Sequence, residues 1–363
     1  MNFRAVLLSI IILVLFLPLL FLEEFSDGFV SSAKTEDSIT ELLAISNDSI
    51  IIGTESGDIF HWKGINNKMD VIMRIGNPIT GIVETGKENY IFVSTRNGSL
   101  YSINIIRLEI SKILQFNDTI LESLSFNPQK LNLALGTNDG RVFIYDGTNI
   151  SRIFNTDRED IIVSDLDWNK HNELAIGLKN AHKVILWRNN SQEEILAITE
   201  SKIVDVTWNS DSTGLGIGTE GGEVLYIKAG SNETLMIGSH YGQNIQGFSL
   251  ANHPSNPLLF CSGGADRVLR VWNVETRAEM VVFSIDSVVG HSSWVNNVLW
   301  LENGNIISSD YYGKVIIWDY SSKKSIPEIP SLVPPIMSLI LVNCLLVLIS
   351  RLDNSNSQRG SEF

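Results

Sequence analysis

The sequence predicts an all-β fold, a seven-bladed β-propeller, from three observations. A short polar turn followed by a run of β-forming residues recurs seven times, each run ending on an anchor: Trp62, Ile103, Tyr145, Trp187, Ile227, Trp272 and Trp318. The anchors recur about every 42 residues, the length of a four-stranded propeller blade. The runs are rich in Ile, Val, Leu and aromatics, lack a helical period and are bounded by Asn, Gly and Asp, which is a strand-and-hairpin signature. A unit of this size cannot bury its own apolar faces, so the units must stack on one another as a single array.

In chain order, the first feature is the uncharged apolar run from Ala5 to Leu22. About 17 residues suffice to span the hydrocarbon layer, and Leu, Ile, Val and Phe each favour insertion by roughly 0.3 to 0.6 kcal/mol near its centre. Arg4 precedes the run and Glu23-Glu24 follow it, which predicts a cytoplasmic amino terminus and an exported domain after it. No small-x-small site follows directly, so an uncleaved anchor is favoured over a signal sequence.

Gly28–Ser32 has the composition of an outer strand, and it precedes the first inner strand, Ile39–Ile45. In the third unit the inner strand is Ile120–Phe126, followed by the turn signal Asn127-Pro128. Leu131–Gly136 and Val142–Tyr145 then flank the turn Thr137–Gly140. The fourth, fifth and last units place inner strands at Val163–Trp168, Ile203–Trp208 and Val295–Trp300. After Trp318 the chain runs into prolines, leaving the last blade without an outer strand of its own. The amino-terminal strand is therefore expected to complete blade seven and close the ring, since an open edge is a liability.

The last feature is a second uncharged stretch, Ile329 to Ser350, whose first third is broken by Pro330, Pro334 and Pro335. Its dense part, Ile336 to Ile349, reaches only about 21 Å of a core of about 30 Å, but extended back to Ser331 it spans. A hydrophobic tail packed on the propeller is the alternative. The expected organisation is an anchor or signal sequence at 1–24, the propeller at 25–326, a transmembrane segment at 327–350 and a polar tail at 351–363.

The turn-and-strand stretch from Ser262 to Trp272 resembles the consensus of the WD-repeat β-propeller family. Trp318-Asp319 is a literal WD pair, Tyr145-Asp146 and Trp272-Asn273 are near variants, and Gly290-His291 is a literal GH pair. The resemblance covers about Gly28 to Tyr320. It implies that Asp266, and Asp139 in the third unit, tie loops together through their carboxylates. In the seventh unit Tyr312 falls at that place, so the family's His–Ser–Asp–Trp network is expected to be incomplete there. The family also implies a protein or peptide ligand.

Little in the sequence points to chemistry. Gly216-Ile217-Gly218-Thr219-Glu220-Gly221 matches a dinucleotide fingerprint but leads into another strand, with no helix N-terminus for a pyrophosphate. Hairpin glycines are the better reading, because Gly53–Gly57 and Gly136–Gly140 recur at the same place in their units. The six histidines show no metal-ligand spacing, and Cys261 and Cys344 are read as small buried residues. No cofactor is expected. A formal net charge of −14 argues against a nucleic-acid partner. Six N-x-S/T sequons permit glycosylation of an exported domain.

The loops joining outer to inner strands and second to third strands share one face of such a ring. There the last units place Trp294, Tyr311, Tyr312, Tyr241 and Arg267, with His240 nearby, and exposed aromatics and Arg are typical interface anchors. The alternative is that Trp294 packs under its own loop while the tyrosines shield the join. The resulting expectation is a membrane-tethered scaffold or receptor-like module, not an enzyme, binding a partner on this loop face from the extracytoplasmic side. Its rivals are a small-molecule sensor or enzyme using the central channel, and a module inserted from the cytoplasmic side.

Overall fold

The computed structural model describes residues 29–63, 68–156, 158, 160–188, 194–231, 233–241, 248–283 and 290–323. Among them, the strands pair into seven four-stranded antiparallel sheets. The first strand, β1 (Phe29–Lys34), belongs to the last sheet. Blade one is β2 (Ile39–Ser46), β3 (Ser49–Thr54), β4 (Asp58–Lys63) and β5 (Lys68–Arg74). Blade two is β6 (Ile79–Glu84), β7 (Tyr90–Thr95), β8 (Ser99–Asn104) and β9 (Glu109–Gln115). Blade three is β10 (Leu121–Asn127), β11 (Asn132–Thr137), β12 (Arg141–Tyr145) and β13 (Ile150–Asn155). Blade four is β14 (Val163–Trp168), β15 (Glu173–Leu178), β16 (Lys183–Arg188) and β17 (Glu194–Ile198). Blade five is β18 (Ile203–Trp208), β19 (Gly214–Thr219), β20 (Glu223–Lys228) and β21 (Thr234–Ser239). Blade six is β22 (Ser249–Asn252), β23 (Leu259–Gly263), β24 (Leu269–Asn273) and β25 (Ala278–Phe283). Blade seven is β26 (Val295–Trp300), β27 (Asn305–Asp310) and β28 (Lys314–Asp319), completed by β1.

The repeating anchors all fall on the third strand of their blades, and the expected strands agree with the observed ones to within a residue or two. Second strands are buried along nearly their whole length: in β3, Ile50, Ile51 and Ile52 are all inaccessible. That is why these strands read as continuous apolar runs, whereas β12 alternates and the outer strand β9 is largely exposed.

Successive inner strands are neighbours all the way round, from β2 through β6, β10, β14, β18, β22 and β26 back to β2. The apolar clusters sit between blades. Seven are present among the described residues, one at each joint. The joint between blades six and seven buries Cys261, Phe283, Val295 and Trp318, and burial pushes the Cys261 thiol up, as befits an inert core residue. The joint between blades seven and one packs Ile39, Ile52 and Trp62 against Ile307, Val315 and Ile317, with Ala33 of β1 at its margin.

Closure follows the sequence expectation. Strand β1 pairs antiparallel with β28, from Phe29 opposite Trp318 to Lys34 opposite Lys314, with one irregularity between Phe29 and Ser31. After β28 the chain turns into a short helix, α1 (Tyr320–Lys323), and adds no further strand among the described residues. Ser322–Phe363 forms a second unit of which only the first two residues are described. The two apolar end segments, Ala5 to Leu22 and Ile329 to Ser350, lie outside the described residues, as does Cys344.

The glycine motif is a hairpin, with its first half in β19 and β20 following directly. Gly216 and Gly218 are required by packing: a Cβ on Gly216 would sit 2.7 Å from Leu250 Cδ2, and one on Gly218 would collide with the Phe248 ring. Close inter-blade approach explains glycines that a phosphate site would otherwise have claimed.

Because β1 covers Val315, Ile316 and Ile317, removing it exposes side chains whose burial contributes roughly 1.5 to 3 kcal/mol each. A chain beginning at Thr35 should therefore melt on the order of 10 °C below one beginning at Gly28 and associate through its open edge. Scanning calorimetry with light scattering checks this; equal melting and monodispersity for both chains would contradict it.

Candidate functional site

Blades six and seven gather the candidate interface residues on one loop face. The Tyr241 amide donates to Asp266 Oδ2 at 3.1 Å, Val295 N donates to the Gly264 carbonyl at 3.1 Å, and Tyr311 N donates to the Trp294 carbonyl at 3.0 Å. These bonds tie the loops entering blades six and seven to the hairpin turns of the same two blades. Trp294 and Tyr311 rings lie 5.8 Å apart and Tyr311 and Tyr312 rings 5.9 Å apart, forming one aromatic cluster. Trp294 remains 39% exposed and Tyr241 75% exposed, so neither is a core residue. Tyr241 and Arg267 join the cluster through the backbone of the 264–267 turn rather than through a described ring contact. Arg267 is exposed and takes a positive φ of 66°, closing that turn with its amide on the Gly264 carbonyl. His240, expected beside these residues, is instead buried.

Beneath the cluster lie two polar networks. In blade six, Ser262 Oγ accepts from Trp272 Nε1 and lies against His240 Nε2, both at 2.7 Å, and His240 Nδ1 faces Asp266 Oδ1 at 2.8 Å. Arg270 adds an ion pair to Asp266 at 2.5 Å and stacks beneath the Tyr241 ring. Burial pushes the His240 imidazole down. It also opposes ionisation of Asp266, but His240 and Arg270 outweigh it and hold that carboxyl at about 2. His240 Nδ1 also lies 2.7 Å from Arg270 Nη1, so the imidazole sits among a hydroxyl, a carboxylate and a guanidinium.

In blade seven the same arrangement appears: Trp318 Nε1 donates to Ser308 Oγ at 2.7 Å, His291 Nε2 lies 2.6 Å from that oxygen, and His291 Nδ1 faces Asp310 Oδ2 at 3.3 Å. This corrects the expectation of an incomplete network. Tyr312 does occupy the usual place of the carboxylate, but Asp310, two residues earlier at the end of β27, reaches the same point. Its Oδ1 accepts from the Tyr312 and Lys314 amides and its Oδ2 from the Ser292 amide. In blade three Asp139 is present as expected, but Arg141 pairs with it and donates to Thr119 Oγ1 at 2.9 Å, so an arginine makes the tie to the preceding loop.

A signal for these networks stands in the sequence. Ten residues before the anchor, blades six and seven have Ser262 and Ser308, while the others have Ile52, Val93, Leu135, Gly177 and Ile217. Only a serine there can receive the indole N–H. Accordingly Trp62 Nε1 is buried with no hydrogen-bond partner among the described residues.

The central channel, about 360 Å³, is lined by the inner strands. Glu41, Glu122, Asp165, Asp167 and Asp205 line it, and sequence reasoning missed them. Glu41, Asp165 and Asp205 share the third position of their inner strands, which is the signal that could have found them. Asp165 and Asp205 accept backbone N–H groups of the following blade, from Val206 and Leu250, both at 2.9 Å.

Seven inter-packed blades closed by β1 define a seven-bladed β-propeller, and two of its blades carry the His–Ser–Asp–Trp ties of WD repeats. The profile of the family described as "WD domain, G-beta repeat" matches residues 234–273 and 283–319, the two repeats that carry the complete networks. The chain is similar to the B-type cell cycle switch protein ccs52A of Medicago truncatula, 24% identical over 247 residues that cover 66% of this chain and 50% of that protein. It is similar to the WD repeat-containing protein srw1 of Schizosaccharomyces pombe, 24% identical over 255 residues, covering 68% and 44%. The APC/C activator protein CDH1 of Saccharomyces cerevisiae is 25% identical over 206 residues, covering 55% and 35%. The chain therefore spans half or less of the length of these relatives.

The membrane location expected from the sequence, with the ring held on the extracytoplasmic side, is corrected. No helix of the described residues is long and apolar enough to cross a membrane, and the relatives bear cell-cycle and APC/C names. The apolar runs that prompted that expectation say nothing further, since they lie outside the described residues.

Replacing Ser308 by Ala leaves the Trp318 and His291 nitrogens facing a methyl group in the core. Unfolding in urea should show a loss of about 1 to 3 kcal/mol. An unchanged midpoint would mean that the network adds nothing to stability.

Proposed function

We propose that this propeller is a protein-interaction module that holds a protein or peptide partner on the loop face of blades six and seven. It acts as a binding adaptor and not as an enzyme. One observation carries the reading: Trp294, Tyr311 and Tyr312 form a continuous aromatic cluster that stays accessible although it is seated on blade seven, over a His–Ser–Asp–Trp network. Large aromatics held in one geometry lose little conformational freedom on binding and are the residues from which interface hot spots are built. Tyr241, braced by Arg270, and the exposed Arg267 extend the surface toward blade six. The names of the relatives, among them an APC/C activator, favour a protein as the ligand.

The rival reading, an enzyme or sensor in the channel, loses its best candidates to the architecture. Asp165, Asp167 and Asp205 each accept a backbone N–H from the next blade, which makes them parts of the joints. The propeller, assigned to 25–326, is the binding domain in this proposal.

The double substitution Trp294→Ala with Tyr311→Ala should weaken capture of partner proteins at least about tenfold, as loss of a hot spot does. The melting temperature should move by no more than about 2 °C, as for a surface site. Quantitative pull-down alongside thermal melts checks both. Retained capture with a large fall in melting temperature would assign the cluster to the core and sink the proposal.

A further inference from the structure

The loop that carries Trp294 is fastened by a chain of hydrogen bonds whose direction can be read atom by atom. An indole N–H can only donate, so Trp318 Nε1 gives its hydrogen to Ser308 Oγ. The hydroxyl has one hydrogen of its own, and His291 Nε2 stands 2.6 Å away to accept it. An imidazole that accepts at Nε2 carries its hydrogen on Nδ1, which faces the acceptor-only carboxylate of Asp310 at 3.3 Å. Every donor then meets an acceptor, and the imidazole is neutral. Ser308 and Asp310 are inaccessible and His291 is 2% exposed, so water cannot stand in for a partner that is lost. The same carboxylate holds both loops of the aromatic cluster. Asp310 Oδ2 accepts from the Ser292 amide, two residues before Trp294, and Oδ1 accepts from the Tyr312 and Lys314 amides. The charged groups that act on His291 are Asp310, on β27, and Lys314, on β28, whose ammonium donates to the Gly290 carbonyl. Lys34, opposite Lys314 on β1, acts on that ammonium. Blade six fixes no such direction, because Arg270 Nη1, a donor, and Asp266 Oδ1, an acceptor, both stand at His240 Nδ1.

We propose that His291 is an acid-released catch: neutral, it fastens the 291–294 loop to the end of β27, and a proton on Nε2 undoes that fastening. The proton comes from solvent during a transient opening of the loop. With it in place, Ser308 Oγ faces two donors and its own hydrogen has no acceptor, so the loop does not reseat. The open loop carries the charged imidazole into water, and Trp294 parts from the Tyr311 ring. Burial, against the pull of Asp310, holds the closed imidazole below its ordinary value of about 6.5, which the open loop regains. The open form therefore binds the proton more readily. The catch holds above about pH 6.5 and weakens as the pH falls below it. It stands on these hydrogen bonds alone, whereas its use, release of a partner in acid surroundings, rests on the loop-face reading.

Amide hydrogen exchange on the full chain at pH 7.5 and 5.5, corrected for intrinsic rates, tests the catch without any partner. Protection of the Ser292, Tyr312 and Lys314 amides should fall about five- to tenfold at the lower pH, since opening gains up to tenfold for each unit below 6.5. The Ile120 amide, held by Asn138 Oδ1 in the corresponding loop of blade three, and the Val298 amide, held by Ser249 Oγ, should keep their protection. His291→Gln retains a donor and an acceptor but does not titrate, so it should flatten the response at all three loop amides. In the wild-type chain, nitrogen NMR of the His291 ring should show a neutral imidazole protonated at Nδ1 at pH 7.5, a measurement that serves even if the glutamine variant does not fold. Equal behaviour of Ser292, Ile120 and Val298, a wild-type pH response in the variant, or a charged or Nε2-protonated ring at pH 7.5 would overturn the catch.

Discussion

The pairing of β1 with β28 is the constraint on which the rest of the molecule depends. Each blade is a small sheet with two apolar faces, and neither face is satisfied except by a neighbour. An array of such sheets has two unsatisfied ends unless it closes, and here the closing strand comes from the far end of the chain. Once Ala33 lies against Val315 and Ile317 lies between blades seven and one, that joint resembles the other six. Everything presented on the loop face, including the aromatic cluster at the mouth of blade seven, inherits its position from that closure.

Polar chemistry is then distributed unevenly over an even scaffold. Blades six and seven spend a serine, a histidine, an aspartate and a tryptophan on fastening loops to sheet, and the bonds end directly beneath Tyr241, Trp294 and Tyr311. Blades one to five replace the serine by apolar residues or glycine, and blade three ties its loop through Arg141 instead. The cost of that substitution is visible at Trp62, whose indole nitrogen is buried without a partner among the described residues. The His–Ser–Asp–Trp networks therefore lie under the surface that carries the candidate contacts, while the inner wall of blades four to six is stitched by carboxylates.

Much of the architecture was legible in the sequence, and the reason is physical. A blade repeats its buried second strand and its anchor at a fixed spacing, so periodicity survives even where single motifs fade. Closure was legible because a strand was missing at one end and in surplus at the other. The glycine motif was legible because a strand, and no helix, follows it. The networks were harder. Asp310 escaped because carboxylate reach depends on where β27 ends, which spacing from Trp318 does not encode. The channel carboxylates escaped because a single Asp in a strand reads as solvated until seven strands are seen converging on one axis. The membrane expectation rested on the hydropathy, length and flanking charges of the chain ends, which say nothing of the ring.

Closure by the first strand also sets a timetable for biogenesis. Phe29 finds its place opposite Trp318, so β1 emerges from the ribosome early and has no partner until almost the entire ring has been synthesised. At about 5 to 20 residues per second that interval is roughly 15 to 60 seconds, during which blades can stack but the ring cannot lock. For that period a nascent chain carries both an orphan β-strand and an unfinished sheet edge, and holding the two apart from other chains is a task for whatever protects it during synthesis.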